Sequence, residues 1–126
     1  MLVPDPGGVS RLAERSRSAA ALLVAVRRTG LWPAVVPAAV LVESLTGRAG
    51  RDAHPNRLLE GCDVVIELPE PLARRAAALP HHARRGSAAD AIVVATAEPG
   101  GMVLTGDVKD LPALAAQARD VLIVPA

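Results

Sequence analysis

The stretch SAADAIVVATAEPGGMVLTGDVKDL, Ser87 to Leu111, sets the fold class. Ser87 to Glu98 reads as an Ala- and Val-rich helix stopped by Pro99-Gly100-Gly101. Met102 to Leu104 then reads as a short strand that is apolar on both faces, and Asp110 with the early Pro112 opens another helix through Ala118. A helix, a short apolar strand and a second helix in succession are the unit of an α/β protein, whose parallel strands are covered on both sides.

Working outward, the same alternation recurs. Leu2 to Pro4, Ala34 to Val36, Val64 to Leu68 and Val121 to Val124 are further candidate strands, making five. Ser18 to Arg28, Ala38 to Leu45 and Pro71 to Leu79 are the remaining candidate helices. Gly47 to Asn56 (GRAGRDAHPN) is polar and turn-rich and is expected to be a loop. The whole chain, 1–126, is read as one domain, because at this length roughly 65–70% of the unfolded chain's surface can be buried without staples.

Composition narrows the function classes. The 14 Lys and Arg against 13 Asp and Glu leave a net charge of +1, so no global field marks a nucleic-acid binder, and any such surface must be local. The single cysteine, Cys62, can form no disulfide within the chain, which suits a reducing cytoplasm, and it reads as a core-edge residue rather than a nucleophile. The longest apolar run, Leu31 to Val42, is broken by Pro33 and Pro37 and falls short of the roughly 18 residues of a membrane span. No secretion signal is expected at MLVPDPGG, where Asp5 stands in place of positive charge. His81 and His82 are adjacent and point apart on a helix, so they make no metal pair.

Four acids stand out, because most of the others sit beside arginines or in turns where water solvates them. Asp5 follows the first strand and Asp107 follows the fourth, at the carboxyl ends where open parallel sheets bind ligands. Glu43 is the only charge in AAVLVESL, and Asp90 is the only one between Ser87 and Thr96. Apolar helices of this kind are expected to be buried, and a desolvated carboxylate on one must meet a positive or hydrogen-bonding partner. Ser87-Ala88-Ala89-Asp90 also fits a capping box, a role compatible with a second one. Four acids at one sheet edge repel one another unless a cation neutralises them, and Mg²⁺ or Mn²⁺ is the oxygen-preferring answer, the usual ion of phosphate-ester hydrolysis.

These residues carry a resemblance. Ala89-Asp90-Ala91-Ile92 with Ala95 and Ala97, then Val103-Leu104-Thr105-Gly106-Asp107 and Asp110-Leu111, are similar to the D-A-x-x-A-x-A and L-T-x-D-x-x-D-L segments of the PIN-domain nucleases, in particular the VapC-type toxins of bacterial toxin–antitoxin pairs. Val36-Pro37 followed by Val40-Leu41-Val42-Glu43 resembles the segment carrying the family's second acid. The resemblance implies a PIN-like three-layer sandwich whose five-stranded parallel sheet has the order 3-2-1-4-5. It implies that Asp5, Glu43, Asp90 and Asp107 form a catalytic, metal-binding cluster with Thr105 as a hydrogen-bonding neighbour. It also implies Mg²⁺- or Mn²⁺-dependent RNA hydrolysis, homodimers, and inhibition by a cognate antitoxin. Arg11, Arg15, Arg48, Arg51, Arg84, Arg85 and Lys109 lie near the loops expected to rim the site and are candidates for binding RNA phosphates.

The chain departs from the family at one place. Asp5 is followed by Pro6-Gly7-Gly8 rather than by a small hydroxyl residue, and Pro6 has no N–H, so the loop after Asp5 is not expected to offer the family's donors. The competing reading is a PIN-like binding module that pairs with a protein partner but cleaves nothing. A phosphoacceptor receiver domain is disfavoured because the third strand ends in Leu68-Pro69 rather than Asp, and nucleotide binding because no glycine-rich phosphate loop is present.

Overall fold

The computed structural model describes residues 1–126 as an α/β chain of five strands and seven helices. In chain order these are β1 (Leu2–Pro4), α1 (Pro6–Ala13), α2 (Arg17–Arg28), β2 (Val35–Pro37), α3 (Ala38–Ser44), α4 (Ala49–Leu59), β3 (Asp63–Val65), α5 (Glu70–Ala83), α6 (Ala88–Ala97), β4 (Met102–Thr105), α7 (Asp110–Ala115) and β5 (Leu122–Pro125). All strand pairs are parallel. Alternate residues of β1 and β4 feed two cores, as strands buried on both faces require. Leu2 and Leu104 join Leu12 and Val26 of α1 and α2, whereas Val3 and Val103 join α6 and α7 through Val93, Val94, Leu111 and Leu114.

The five strands do not form one continuous sheet. The hydrogen-bonded orders are β1-β4-β5 and β2-β3, so the expected order 3-2-1-4-5 is not realised as a single ladder. Prolines account for the break. Asp5 N–H donates to Leu104 and Met1 C=O accepts from Met102, so the odd residues of β1 face β4, and Leu2 and Pro4 face the other edge. In β2, Ala34 C=O accepts from Asp63, which turns Val35 and Pro37 toward that same gap. Pro4 and Pro37 have no N–H, so each three-residue strand offers only one donor there.

Two helices lie where the sequence suggests turns. Pro6-Gly7-Gly8 is the first turn of α1 rather than a loop, because proline at the first helical position lacks an N–H the helix does not use there, and Asp5 caps the start. Val9 and Leu12, one helical turn apart, are buried. The segment Gly47 to Asn56, expected as a loop, falls mostly within α4, which keeps its helix through Pro55. The Asp52 carboxylate fixes its entry, accepting from Thr46 N–H (2.9 Å), Thr46 Oγ1 (2.8 Å) and Gly47 N–H (2.8 Å). Those bonds hold the Asp52 carboxyl below its usual range. β3 ends at Val65, earlier than the expected Leu68, because Val65 pairs with Pro37 and β2 turns into α3 at the next residue, leaving Ile66 without a partner strand.

Arg75 on α5 locks the far end of α6. Its guanidinium grips Glu98 with bonds of 2.7 and 2.9 Å, and Glu98 also accepts from Arg119 N–H at 2.9 Å. The arginine holds the Glu98 carboxyl below the usual glutamate range. A depressed carboxyl contributes stability that is present above the unfolded pKa and lost as pH falls through the folded one. Glu98→Gln is therefore expected to cost about 2 kcal/mol at neutral pH, the worth of charge-assisted hydrogen bonds, and to flatten the acid limb of the stability curve. Urea unfolding from pH 7 down to pH 3 checks both, and a variant with the wild-type acid limb would remove Glu98 from the acid response. No helix is long and apolar enough to cross a membrane.

Candidate metal centre

Three segments converge where the strands of the larger sheet end. β1 delivers Asp5, β4 delivers Thr105 and then Asp107, and the first turn of α6 delivers Asp90. Asp5 is 4% exposed and Thr105 is 2% exposed. Asp5 Oδ1 accepts from Gly8 N–H at 2.6 Å, and Oδ2 accepts from the Thr105 hydroxyl. Thr105 Oγ1 in turn accepts from Asp107 N–H at 2.8 Å, so one hydroxyl ties the two strand-end acids together. Burial pushes the Asp5 carboxyl up, the bonds from Thr105 and Gly8 oppose that, and the charges of Asp90 and Asp107 push it further up.

Above this buried acid the half-exposed carboxylates of Asp90, Asp107 and Asp110 offer oxygens that all lie within 4.8 Å of one another. Each of the first two is fixed through one oxygen. Asp107 Oδ1 accepts from Lys109 N–H and Asp110 N–H, both at 2.8 Å, and so fixes the turn that leads into α7. Asp90 Oδ2 accepts from Ser87 N–H at 3.1 Å while Ser87 Oγ accepts from Asp90 N–H at 3.1 Å, completing the capping box. Asp107 Oδ2 and Asp90 Oδ1 carry no protein hydrogen bond and are held in place by their partners' bonds. This acidic triad can hold a metal ion. No known family model matches the chain, and no curated protein matches it.

The structure brings Asp5, Thr105, Asp90 and Asp107 to one place, and it adds Asp110, which the sequence offered as a helix start and as part of the L-T-x-D-x-x-D-L resemblance but not as a site residue. The signal for Asp110 was its spacing from Asp107, which puts both at the opening of one helix. Glu43 is not among the three carboxylates whose oxygens lie within 4.8 Å of one another. α3 buries only Val40, leaving Val42 81% exposed and Glu43 exposed, so the expectation of a buried charge on this helix is not met. Seven residues are too few to bury more than one stripe, although α3 does pack on α1 and α6.

The basic candidates divide by position. Arg85 reaches Asp110 at 4.0 Å, Lys109 is exposed between Asp107 and Asp110, and Arg84 is exposed beside Arg85. Arg48 and Arg51 are exposed at the start of α4. Arg11 and Arg15 do not rim this site. They lie in the last turn of α1 and just beyond it, at the opposite end from Asp5, and Arg11 is held by Glu14 at 2.8 Å.

Proposed function

We propose that this protein is a Mg²⁺- or Mn²⁺-dependent endoribonuclease of PIN-like architecture, acting as the toxin of a toxin–antitoxin pair. The observation that carries the reading is the convergence of Asp90, Asp107 and Asp110 above buried Asp5 at the carboxyl ends of parallel strands. The donors fit the ion, being hard carboxylate oxygens with no thiolate or imidazole among them. When bound, the ion supplies activation of a water and offsets charge that develops on the phosphate oxygens.

The chain's own residues do the rest. Asp90 and Asp107, each pinned through one oxygen, keep the other free of protein hydrogen bonds and available to an ion. Thr105 and the Gly8 amide hold Asp5 rigidly beneath them. Lys109 and Arg85, beside the acids, are placed to take the phosphates that flank a scissile bond. A homodimer, a cognate antitoxin and a cytoplasmic setting belong to the same reading.

The test is RNA cleavage by the purified protein with Mg²⁺ or Mn²⁺, against EDTA and against Asp90→Asn. Asp90→Asn keeps an acceptor for Ser87 N–H, so its circular dichroism should match wild type while cleavage falls by at least about 100-fold. Cleavage that survives EDTA, or that Asp90→Asn retains, would sink the proposal. A second reading, a PIN-like partner-binding domain that cleaves nothing, rests on Pro6-Gly7-Gly8 following Asp5 in place of the family's hydroxyl residue, and a wild type that takes up no Mn²⁺ would favour it.

A further inference from the structure

A second site lies at the other end of the molecule. The eight residues of α1 separate it from the acids by about 12 Å of helix, with Asp5 capping one end and Leu12 and Ala13 at the other. There the end of α1, the last turn of α2 and the end of α4 enclose a cavity of about 330 Å³, just before β2 and β3 begin. Arg15, Arg27, Arg57, His54, Glu14 and Trp32 contribute its polar and aromatic lining.

The charge on this cavity is unbalanced. The chain's ion pairs engage Arg11, Arg74, Arg75 and Arg85, which leaves Arg15, Arg27 and Arg57 without a carboxylate partner. Glu14, the one acid in the lining, is itself neutralised by Arg11 at 2.8 Å. Three permanently charged guanidinium groups from three segments thus border one pocket with no anion of the chain to satisfy them. Arg27 is steadied by stacking on Trp32, 5.3 Å from its ring, and Gly61 packs on the same ring so closely that an added Cβ would lie 3.2 Å from it. Leu12, Leu23 and Leu58 supply apolar surface beside the charges. A volume at the low end of small-ligand sites, three unpaired cations from separate segments and an apolar wall suit a small phosphorylated group better than an extended surface.

We propose that this pocket binds phosphate groups, as a site separate from the acidic centre and independent of its activity. The phosphate has two possible sources, a free phosphorylated small molecule or a nucleic-acid strand, which share the recognition chemistry. Trp32 is the only tryptophan and the chain has no tyrosine, so intrinsic fluorescence reports on this pocket directly.

The test titrates pyrophosphate, and separately a short single-stranded oligoribonucleotide, into the protein at low salt with EDTA present, following Trp32 emission. Saturable change is expected, weakened at least about tenfold by Arg57→Gln and by Arg15→Gln, two exposed residues whose loss leaves the Arg27–Trp32 stack in place. Arg74→Gln, an exposed change on α5 outside this pocket, should bind both probes as wild type, and Asp90→Asn should bind pyrophosphate as wild type. Pyrophosphate saturating where RNA does not identifies a free phosphorylated ligand, and RNA that displaces pyrophosphate identifies a strand. A flat titration with both probes, or equal binding by Arg57→Gln and Arg74→Gln, would overturn the proposal. Loss of RNA cleavage in Asp90→Asn with this binding intact separates the two sites.

Discussion

Asp107→Asn is expected to keep its fold and lose at least about 100-fold in Mn²⁺ affinity, since even groups behind a metal ligand contribute roughly 10- to 100-fold. The substitution is nearly isosteric. An asparagine oxygen can accept the same 2.8 Å bonds from Lys109 and Asp110 that Asp107 Oδ1 accepts, so the turn into α7 survives. What disappears is the charge and the second anionic oxygen. That loss also removes one of the two neighbouring carboxylates that push Asp5 up, so without metal the variant should melt at or slightly above wild type at neutral pH. Saturating Mn²⁺ should then raise the melting temperature of wild type and leave the variant where it was, because only a binder of the native state gains from mass action. Asp107→Ala should lose both metal affinity and stability, since it removes the bonds that fix the turn along with the charge. Calorimetry and paired thermal melts read these outcomes. Wild-type Mn²⁺ affinity in Asp107→Asn would take this residue out of the site.

Much of this was legible in the sequence, and the parts that were not have physical reasons. Asp90 and Asp107 could be read because each follows a local grammar: Ser87-x-x-Asp90 is a helix start, and Thr105-Gly106-Asp107 ends an apolar strand. The α/β class was legible for the same reason, since apolar strands and alanine-rich helices differ in period. Glu43 shows the limit. Its apolar neighbours suggest burial, but whether a seven-residue helix is covered on one side or all round depends on what packs against it, which no local pattern records. The separation of β2-β3 from β1-β4-β5 turns on which edge of each short strand its proline faces, a matter of pairing parity rather than composition. α4 was hidden because its glycine, proline and charges argue for a loop, and only burial of Leu59 with the bonds to Asp52 overrides that propensity.

Pro6-Gly7-Gly8 reads differently once the strand beside it is in view, and it yields the sharpest stability test in the molecule. The first turn of α1 lies flush on the end of β4. A Cβ added at Gly8 would come within 2.3 Å of the Leu104 carbonyl oxygen, and one at Gly7 within 3.0 Å of the Gly106 nitrogen. Both obstacles are backbone, so no rotamer change relieves them. In Gly8→Ala, α1 must therefore lift from β4, straining the 2.6 Å bond from Gly8 N–H to Asp5 and the 3.0 Å bond from Asp5 N–H to Leu104. Overpacking of this kind costs about 3 kcal/mol, a large part of the roughly 5–15 kcal/mol that keeps a domain folded. At this chain length that corresponds to a fall in melting temperature of about 10 °C. Gly50→Ala is the control, because Gly50 lies in α4 with open space around it and alanine there should be neutral or stabilising by up to about 1 kcal/mol. If the two variants melt together, the close approach of α1 to β4 is not what requires glycine. If Gly8→Ala alone falls, the missing side chain at Gly8 is what allows that buried acid to be capped and seated beneath the other three.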